Sequence, residues 1–550
     1  MALLAARAGG ERPRRAPALT IALAYGTALL LFPFSALETR ILGKPGAIRE
    51  ALASHGNELV AYRESLTETL QYFRKPLLGE PHYYTLVTNN HPMAGTSLAN
   101  RRYMKAYVYW PIALNPDAKN ALLISYGVGG TASALVATPE LETIDIVDIS
   151  QAVLDASRLV YPPDQHPLRD PRVRVHLEDG RFFLLASDRH FDLITGEPPP
   201  PRHAGVGNLY SREYFELVRE RLRDGGVVSY WLSVHQLLPR ETKAVLAGFC
   251  DAFPECSLWS GNGLEWMMVA VKNPQAPPSA RDFARQWQRP AIAGELEALG
   301  FPSAASLAPT FIADARRLRA WIGDIPPLLD AFPQRIASRP TELSAEDTQA
   351  YHDFMADPEA EHSFFRSEAL ARWWPAADRH PSAAHTRMRT LLLRDLWQRP
   401  AYENLARTLR EPELAGYAAW VVGSDADAVA IVQAALVRTP DLASRELPLP
   451  VYPHLAATAL AAGDPERIDL VFARWEAALA EPSPPDRERV AALRISALLA
   501  TGRAQQAHEA LQAMRLRNRG DAAVLERVER LAHWAREAFG PSSAEAGAPH

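Results

Sequence analysis

At 550 residues with 47% hydrophobic side chains, the chain can fill several packed cores, which excludes the disordered class. Its 59 basic and 64 acidic residues give a net charge of -5 and are interspersed without a basic block, which argues against a nucleic-acid partner. The two cysteines, Cys250 and Cys256, exclude a disulfide framework and read as free thiols of a reducing compartment.

Residues 16–37 carry no charge, follow a basic stretch, and are long enough to cross a hydrocarbon core, so residues 1–40 are expected to be a single-pass membrane anchor. Residues 55–115 alternate in short runs broken by turn signals at Leu78-Gly79-Glu80-Pro81 and Asn89-Asn90, the pattern of a small antiparallel β-domain. From 116 to 273 the pattern becomes strand, turn, helix. The apolar run 121–126 breaks into Gly127-Val128-Gly129-Gly130-Thr131 and then an alanine-rich helix. A second run, 143–147, ends in Asp148, where a nucleotide-binding βαβ unit places the carboxylate for the ribose hydroxyls. A third strand, 173–177, stops before Asp179-Gly180, and a fourth, 191–195, stops at Gly196-Glu197 and four prolines. These ends share one edge of an open parallel sheet, the edge where ligands bind.

The sheet domain is expected to close near Asn273, ahead of the linker Pro274-Gln275-Ala276-Pro277-Pro278. Residues 274–400 read as helical, with proline breaks. In 401–540, Gly423, Gly463 and Gly502 each separate two alanine-rich helices, which reads either as stacked helical hairpins of the tetratricopeptide kind or as an irregular bundle. Such a layer would bind a protein partner or brace the sheet domain.

Gly127, Gly129 and Gly130 lack Cβ atoms, so the turn can bend tightly and let the backbone approach a ligand. Asp148 can accept two hydrogen bonds from a ribose diol, or act as a strand-end cap.

Four features together carry a family resemblance: the glycine turn, Asp148, the run 170–175 followed by Asp179-Gly180, and Pro201 followed by Leu209-Tyr210-Ser211 and Glu213-Tyr214-Phe215. Residues 58–271 resemble the spermidine synthase family, the polyamine aminopropyltransferases, and most closely its bacterial branch joined to membrane segments. The resemblance implies an α/β fold in which a Rossmann-like, methyltransferase-type sheet carries a small N-terminal β-domain, here followed by an all-α region. It implies S-adenosylmethionine or its decarboxylated form as co-substrate, with no metal. Asp179 would then accept from the adenine amino group, with Gly180 allowing close packing.

The transfer half departs from the family pattern. Val128 stands where the family has an acidic residue for the donor's amine, and Met93 where it has a glutamine. Tyr103-Met104-Lys105 keeps only the tyrosine of a tyrosine-histidine-glutamate run. Glu197 replaces the aspartate that receives the amine's proton, and Pro200 replaces a second aspartate. Glu197 is therefore the expected base, and Tyr103, His203, Asn208 and Tyr210 the expected substrate pocket, with His203 as an alternative base. Lys105, if it faced the pocket, would repel a polycation.

Two functions follow. One is a transferase moving an aminopropyl or methyl group from the sulfonium to a small-molecule amine, on the cytoplasmic side of the inner membrane, where adenosyl sulfoniums are made. The other is a membrane-tethered nucleoside-binding scaffold acting through its helical repeats.

Overall fold

The computed structural model describes residues 45–376 apart from short gaps, the stretches 465–479 and 484–520, and isolated positions elsewhere. Most of the expected anchor (16–37) and of the repeats carrying Gly423 and Gly463 lies outside the described residues. Among those described, no helix is long and apolar enough to cross a membrane.

After helix α1 (Pro45–Ser54), strands β1 (Glu58–Glu64), β2 (Thr69–Leu77), β3 (Glu80–Thr88) and β4 (His91–Gly95) form an antiparallel sheet in sequential order. Helix α2 (Leu98–Leu114) opens at Ser97, whose hydroxyl accepts from the Asn100 N–H, and is buried from Arg102 onward. A polar side chain on such a helix must find partners. Arg102 accordingly donates to the carbonyls of Gly261 and Leu299 and lies 3.7 Å from the centre of the Phe301 ring.

The second sheet has eight strands in the order β12-β10-β11-β9-β8-β5-β6-β7. Its parallel part is β5 (Asn120–Ile124), β6 (Thr143–Asp148), β7 (Val173–Leu177), β8 (Phe191–Gly196) and β9 (Leu222–Ser233). Helices α3 (Gly130–Ala137), α4 (Gln151–Ala156), α5 (Gly180–Ala186) and α6 (Arg212–Arg221) make the crossovers. Helix α7 (Pro239–Ala252) leads to the antiparallel strands β10 (Ser257–Asn262) and β11 (Glu265–Val271). Apolar clusters cover both faces: α2 and α3 with one, α6 and α7 with the other. The chain leaves β5 toward β6 and β7 on one side and returns to β8 on the other, so the crevice at the end of β5 is the topological switch point.

Two expectations need correction. The sheet does not close near Asn273: after α8 (Pro290–Ala298) the chain adds β12 (Phe311–Asp314) to the edge of β10, because Phe311 and Ala313 are apolar and fully buried there. Cys250 and Cys256 are not free thiols but form a disulfide. The turn in which the Cys256 N–H bonds to the Phe253 carbonyl brings their Cα atoms to 5.2 Å, within bridging range. Beyond β12 the described helices include α9 (Ala315–Ile322), α10 (Ala345–Ala356), α11 (Pro358–Arg366), α12 (Pro465–Ala478), α13 (Pro484–Ala500) and α14 (Ala504–Arg517). Gly502, at φ +73°, makes the turn between α13 and α14.

Gly180 packs against β5 rather than against open space. A Cβ there would lie 2.5 Å from Ile124 Cγ2, on a β-branched side chain with little freedom to move. Gly180→Ala should therefore destabilise the domain by about 1–3 kcal/mol, read as a lower urea midpoint at unchanged m.

Candidate active site

A cavity opens at the switch point. Its floor is the turn after β5 (Ser125, Tyr126, Gly127, Val128) and the residues after β6 (Asp148, Ile149, Ser150). Glu197 and Pro199 after β8, and Trp231 on β9, form one wall. Tyr103 and Met104 of α2 close another, and Glu68, Leu86, Thr88, Met93 and Ala94 of the small β-domain form the roof.

Asp148 ties the floor together. One carboxylate oxygen accepts from the Tyr126 N–H at 2.7 Å and the other from the Ser150 N–H at 2.8 Å. Each oxygen keeps a lone pair, enough for two ligand hydroxyls. Burial raises its pKa to about 6; the two amides oppose the shift, and nearby Glu68 adds to it. The Ser150 hydroxyl donates to Glu68, fastening the roof to the floor.

Gly127 (φ +56°) faces the cavity, and a Cβ there would meet only Ala94 at 3.6 Å, which leaves its backbone approachable. Gly129, Gly130 and Gly180 do not line the cavity. A Cβ on Gly129 would strike the Tyr126 hydroxyl and one on Gly130 would strike Met104, so these glycines serve close packing of the turn.

Glu197 is joined to the ladder by its own N–H, which bonds to the Ile124 carbonyl at 3.1 Å. Its carboxyl group meets the Thr131 hydroxyl, which also lies 3.0 Å from the Met104 carbonyl. One hydroxyl has one proton. If Thr131 donates to Met104, a protonated Glu197 can donate to Thr131, and all three groups are satisfied. The electrostatics agree: burial raises Glu197 to about 8, the Thr131 contact opposes this, and Glu265 raises it further.

The remaining predicted residues divide. Tyr103 lines the cavity. His203 does not; it stacks edge-on to His91 at 5.2 Å, and burial, with help from His91 and Arg202, lowers it to about 4. Asn208 is exposed, and its carbonyl accepts from Arg181. Tyr210 is fully buried and donates to the Pro198 carbonyl, so it holds the proline loop from beneath. Asp179 accepts from the Phe182 N–H as the N-cap of α5 and stands outside the cavity lining. Lys105 turns away from the cavity and pairs with Glu295, so the expected repulsion of a cation does not arise.

Sequence reasoning missed Glu68, Ser125 and Trp231, which line the cavity. Ser125 holds φ +75°, a left-handed conformation uncommon outside glycine and frequent at functional sites. Trp231 donates from Nε1 to Glu265 Oε2 at 2.7 Å. Among the described residues, no cluster of three or more His, Cys, Asp or Glu could hold a metal ion.

Comparison with known proteins places this geometry. Residues 101–257 match the spermine/spermidine synthase domain. A polyamine aminopropyltransferase of Clostridium perfringens is 30% identical over 162 residues, which cover 29% of this chain and 57% of that protein. A putrescine N-methyltransferase of Nicotiana tabacum is 35% identical over 139 residues, covering 24% of this chain and 37% of that one. The chain thus spans little more than half of the first relative and less of the second. The crystal structure of a spermidine synthase from Thermotoga maritima aligns with 39% of this chain and 72% of its own at 18% identity, with a TM-score of 0.34. The synthase domain contains Asp148 and Glu197; Glu265 lies beyond the matched segment.

Because Glu197 is raised from 4.5 to about 8 in the folded protein, the stability of its neutral form is complete below the unfolded value and is lost as pH rises through 8. Between pH 6 and pH 9 the wild type should lose about 2–3 kcal/mol that Glu197→Gln keeps, measured by denaturant unfolding at the two pH values.

Proposed function

We propose that the chain is an S-adenosyl-sulfonium-dependent alkyltransferase that moves an aminopropyl or methyl group to a small amine, with Glu197 as the proton acceptor. The observation that carries the reading is a buried carboxyl group with no basic partner, at the switch-point edge, two strands from the ribose-type carboxylate Asp148. The names of the two relatives support both forms of transfer. The donor's adenosine would lie over the turn at Gly127, with its ribose on Asp148.

The acceptor arrives as an ammonium and must lose a proton before its nitrogen has a lone pair to give. Glu197, ionised by the approach of a cationic donor, takes that proton. The nitrogen then forms a bond to the donor's alkyl carbon, the carbon–sulfur bond breaks, and its electron pair stays on sulfur as a neutral thioether. Val128, Met93 and Trp231 provide apolar walls that exclude water and strengthen the attraction between Glu197 and positive charge. The reading puts the domain in the cytosol, where such donors are made; an active alkaline phosphatase fusion after Val60 would contradict that placement.

Calorimetric titration with S-adenosylmethionine and with its decarboxylated form should show binding of at least one, and Asp148→Asn should weaken it about tenfold. With an amine present, methylthioadenosine or S-adenosylhomocysteine should form, and Glu197→Gln should lower kcat by about 10²–10⁴. Tight donor binding with no thioether product from any amine would instead favour a nucleoside-binding scaffold.

A further inference from the structure

The two ends of the eight-stranded sheet are finished differently. At one end β12 is buried along its whole length and lies against α11, with the Phe311 and Phe364 rings 5.4 Å apart. At the other end β7 pairs only with β6, and Arg174, Val175, Leu177 and Glu178 are exposed. An edge strand is an open template for further pairing, which natural proteins commonly blunt with a bulge, a proline or a covering element. β7 contains no proline, its register with β6 is unbroken, and among the described residues no strand pairs with its far side.

Hydrogen bonding shows which backbone groups this leaves free. The Arg172 carbonyl accepts from the Ile144 N–H at 3.0 Å, and the Glu178 N–H donates to the Asp148 carbonyl at 3.1 Å. Because the direction of pairing alternates along a strand, Arg172, Arg174, His176 and Glu178 turn their amide groups toward β6, and Val173, Val175 and Leu177 turn theirs outward. The Val173 N–H is taken by the Asp170 carbonyl. Val175 and Leu177 therefore each offer an outward N–H and C=O, and their side chains, on one face of the strand, are 42% and 53% exposed.

That pattern is complementary to itself. Two antiparallel β7 strands related by a two-fold axis at His176 set Val175 of each copy opposite Leu177 of the other, and each such pair exchanges both outward hydrogen bonds. On the other face the same register sets Arg174 of each copy opposite Glu178 of the other. Neither residue has an ion-pair partner among the described residues of its own chain. Moving the axis to Val175 would set Arg174 opposite His176, with no carboxylate to meet it, so charge complementarity selects the axis at His176. Helix α5 lies over the His176 face, its Phe183 ring 4.7 Å from the imidazole, and adds Phe182 and Leu185 to the exposed apolar surface beside the strand.

We propose that β7 is a self-pairing edge, through which two copies of this chain join their eight-stranded sheets into one about an axis at His176. The axis stands perpendicular to the sheet, so the two cavities open on opposite edges and neither obstructs the other. The last rung of β7, from Glu178 to the Asp148 carbonyl, ties the joint to each cavity floor.

The test measures the oligomeric state of the full chain by sedimentation equilibrium in a mild detergent. The wild type should be a dimer. Arg174→Glu and Glu178→Arg each set like charges opposite one another at both ends of the joint, and each should raise the dimer dissociation constant about tenfold, while combining the two should bring it back to within about threefold. Within one chain the two residues stand about 13 Å apart along the strand, too far to compensate each other, so rescue requires a second copy. A wild type that stays monomeric at about 100 μM, a dimer that neither single variant weakens, or a double variant that does not recover overturns the proposal. A monomer whose Val175 and Leu177 amides resist hydrogen exchange would mean that another segment of the chain covers the edge, and overturns it as well. Where a single variant also lowers the urea midpoint, the pair Arg174→Cys with Glu178→Cys decides, since Cys250 and Cys256 are held in their own disulfide. Oxidation should link two chains in the pair but not in Arg174→Cys alone, whose two copies would lie more than about 13 Å apart. No linkage, or equal linkage in the single variant, overturns the joint.

Discussion

Glu197 sits at the carboxyl end of β8 with its carboxyl group out of bulk water, and the chemistry of the edge follows from that position. An ionised carboxylate in such a place has to be neutralised, hydrogen-bonded or met by a cation. In the free protein it is met by Thr131, the second residue of α3, which the glycine turn delivers to the spot. The parallel register of β5 with β6 and β8 fixes the rest, bringing the ends of three strands to one crevice. The same geometry that makes the turn tight thus also supplies the hydroxyl that steadies the base.

The small β-domain and α2 convert this edge into an enclosed site. Glu68 reaches from the roof to Ser150, and Met93 and Ala94 come down over the turn. Helix α2 passes beneath the roof and sends Tyr103 and Met104 inward, while Arg102 and Lys105 find partners elsewhere. The partner of Lys105 is Glu295 on α8, beyond the segment that matches the synthase family. Burial pulls the Lys105 ammonium down and Glu295 opposes the shift, so the pair keeps a positive charge out of the site. Residues past the recognisable domain therefore shape its electrostatics.

Much of this was legible in the sequence, and for a physical reason. Strand runs, the glycine turn and Asp148 are local signals, so the parallel sheet and three carboxyl-edge residues, Gly127, Asp148 and Glu197, could be found by pattern. Glu265 could not, because its place at the carboxyl end of β9 depends on β11 folding back antiparallel to β9, a non-local pairing with no motif of its own. Tyr210 and His203 sit close in sequence to the active edge, but the proline loop turns one into the core and the other toward His91. Gly129 and Gly130 were read as letting the backbone approach a ligand, whereas the space beside them is taken by Tyr126 and Met104. The disulfide escaped because a spacing of six between cysteines says nothing of the turn at Phe253 that brings them together.

The departures from the family pattern then acquire a common sense. Val128 and Met93 are apolar on the floor and roof where the resemblance implies polar groups, and Pro200 stands in the loop where it implies a carboxylate. Each change lowers the local polarity, and in a less polar site each remaining charge acts more strongly and over a longer distance. Glu265 meanwhile adds a carboxylate on the far side of Trp231, bonded to that indole. A buried carboxyl group among apolar walls discriminates by where a ligand carries its charge.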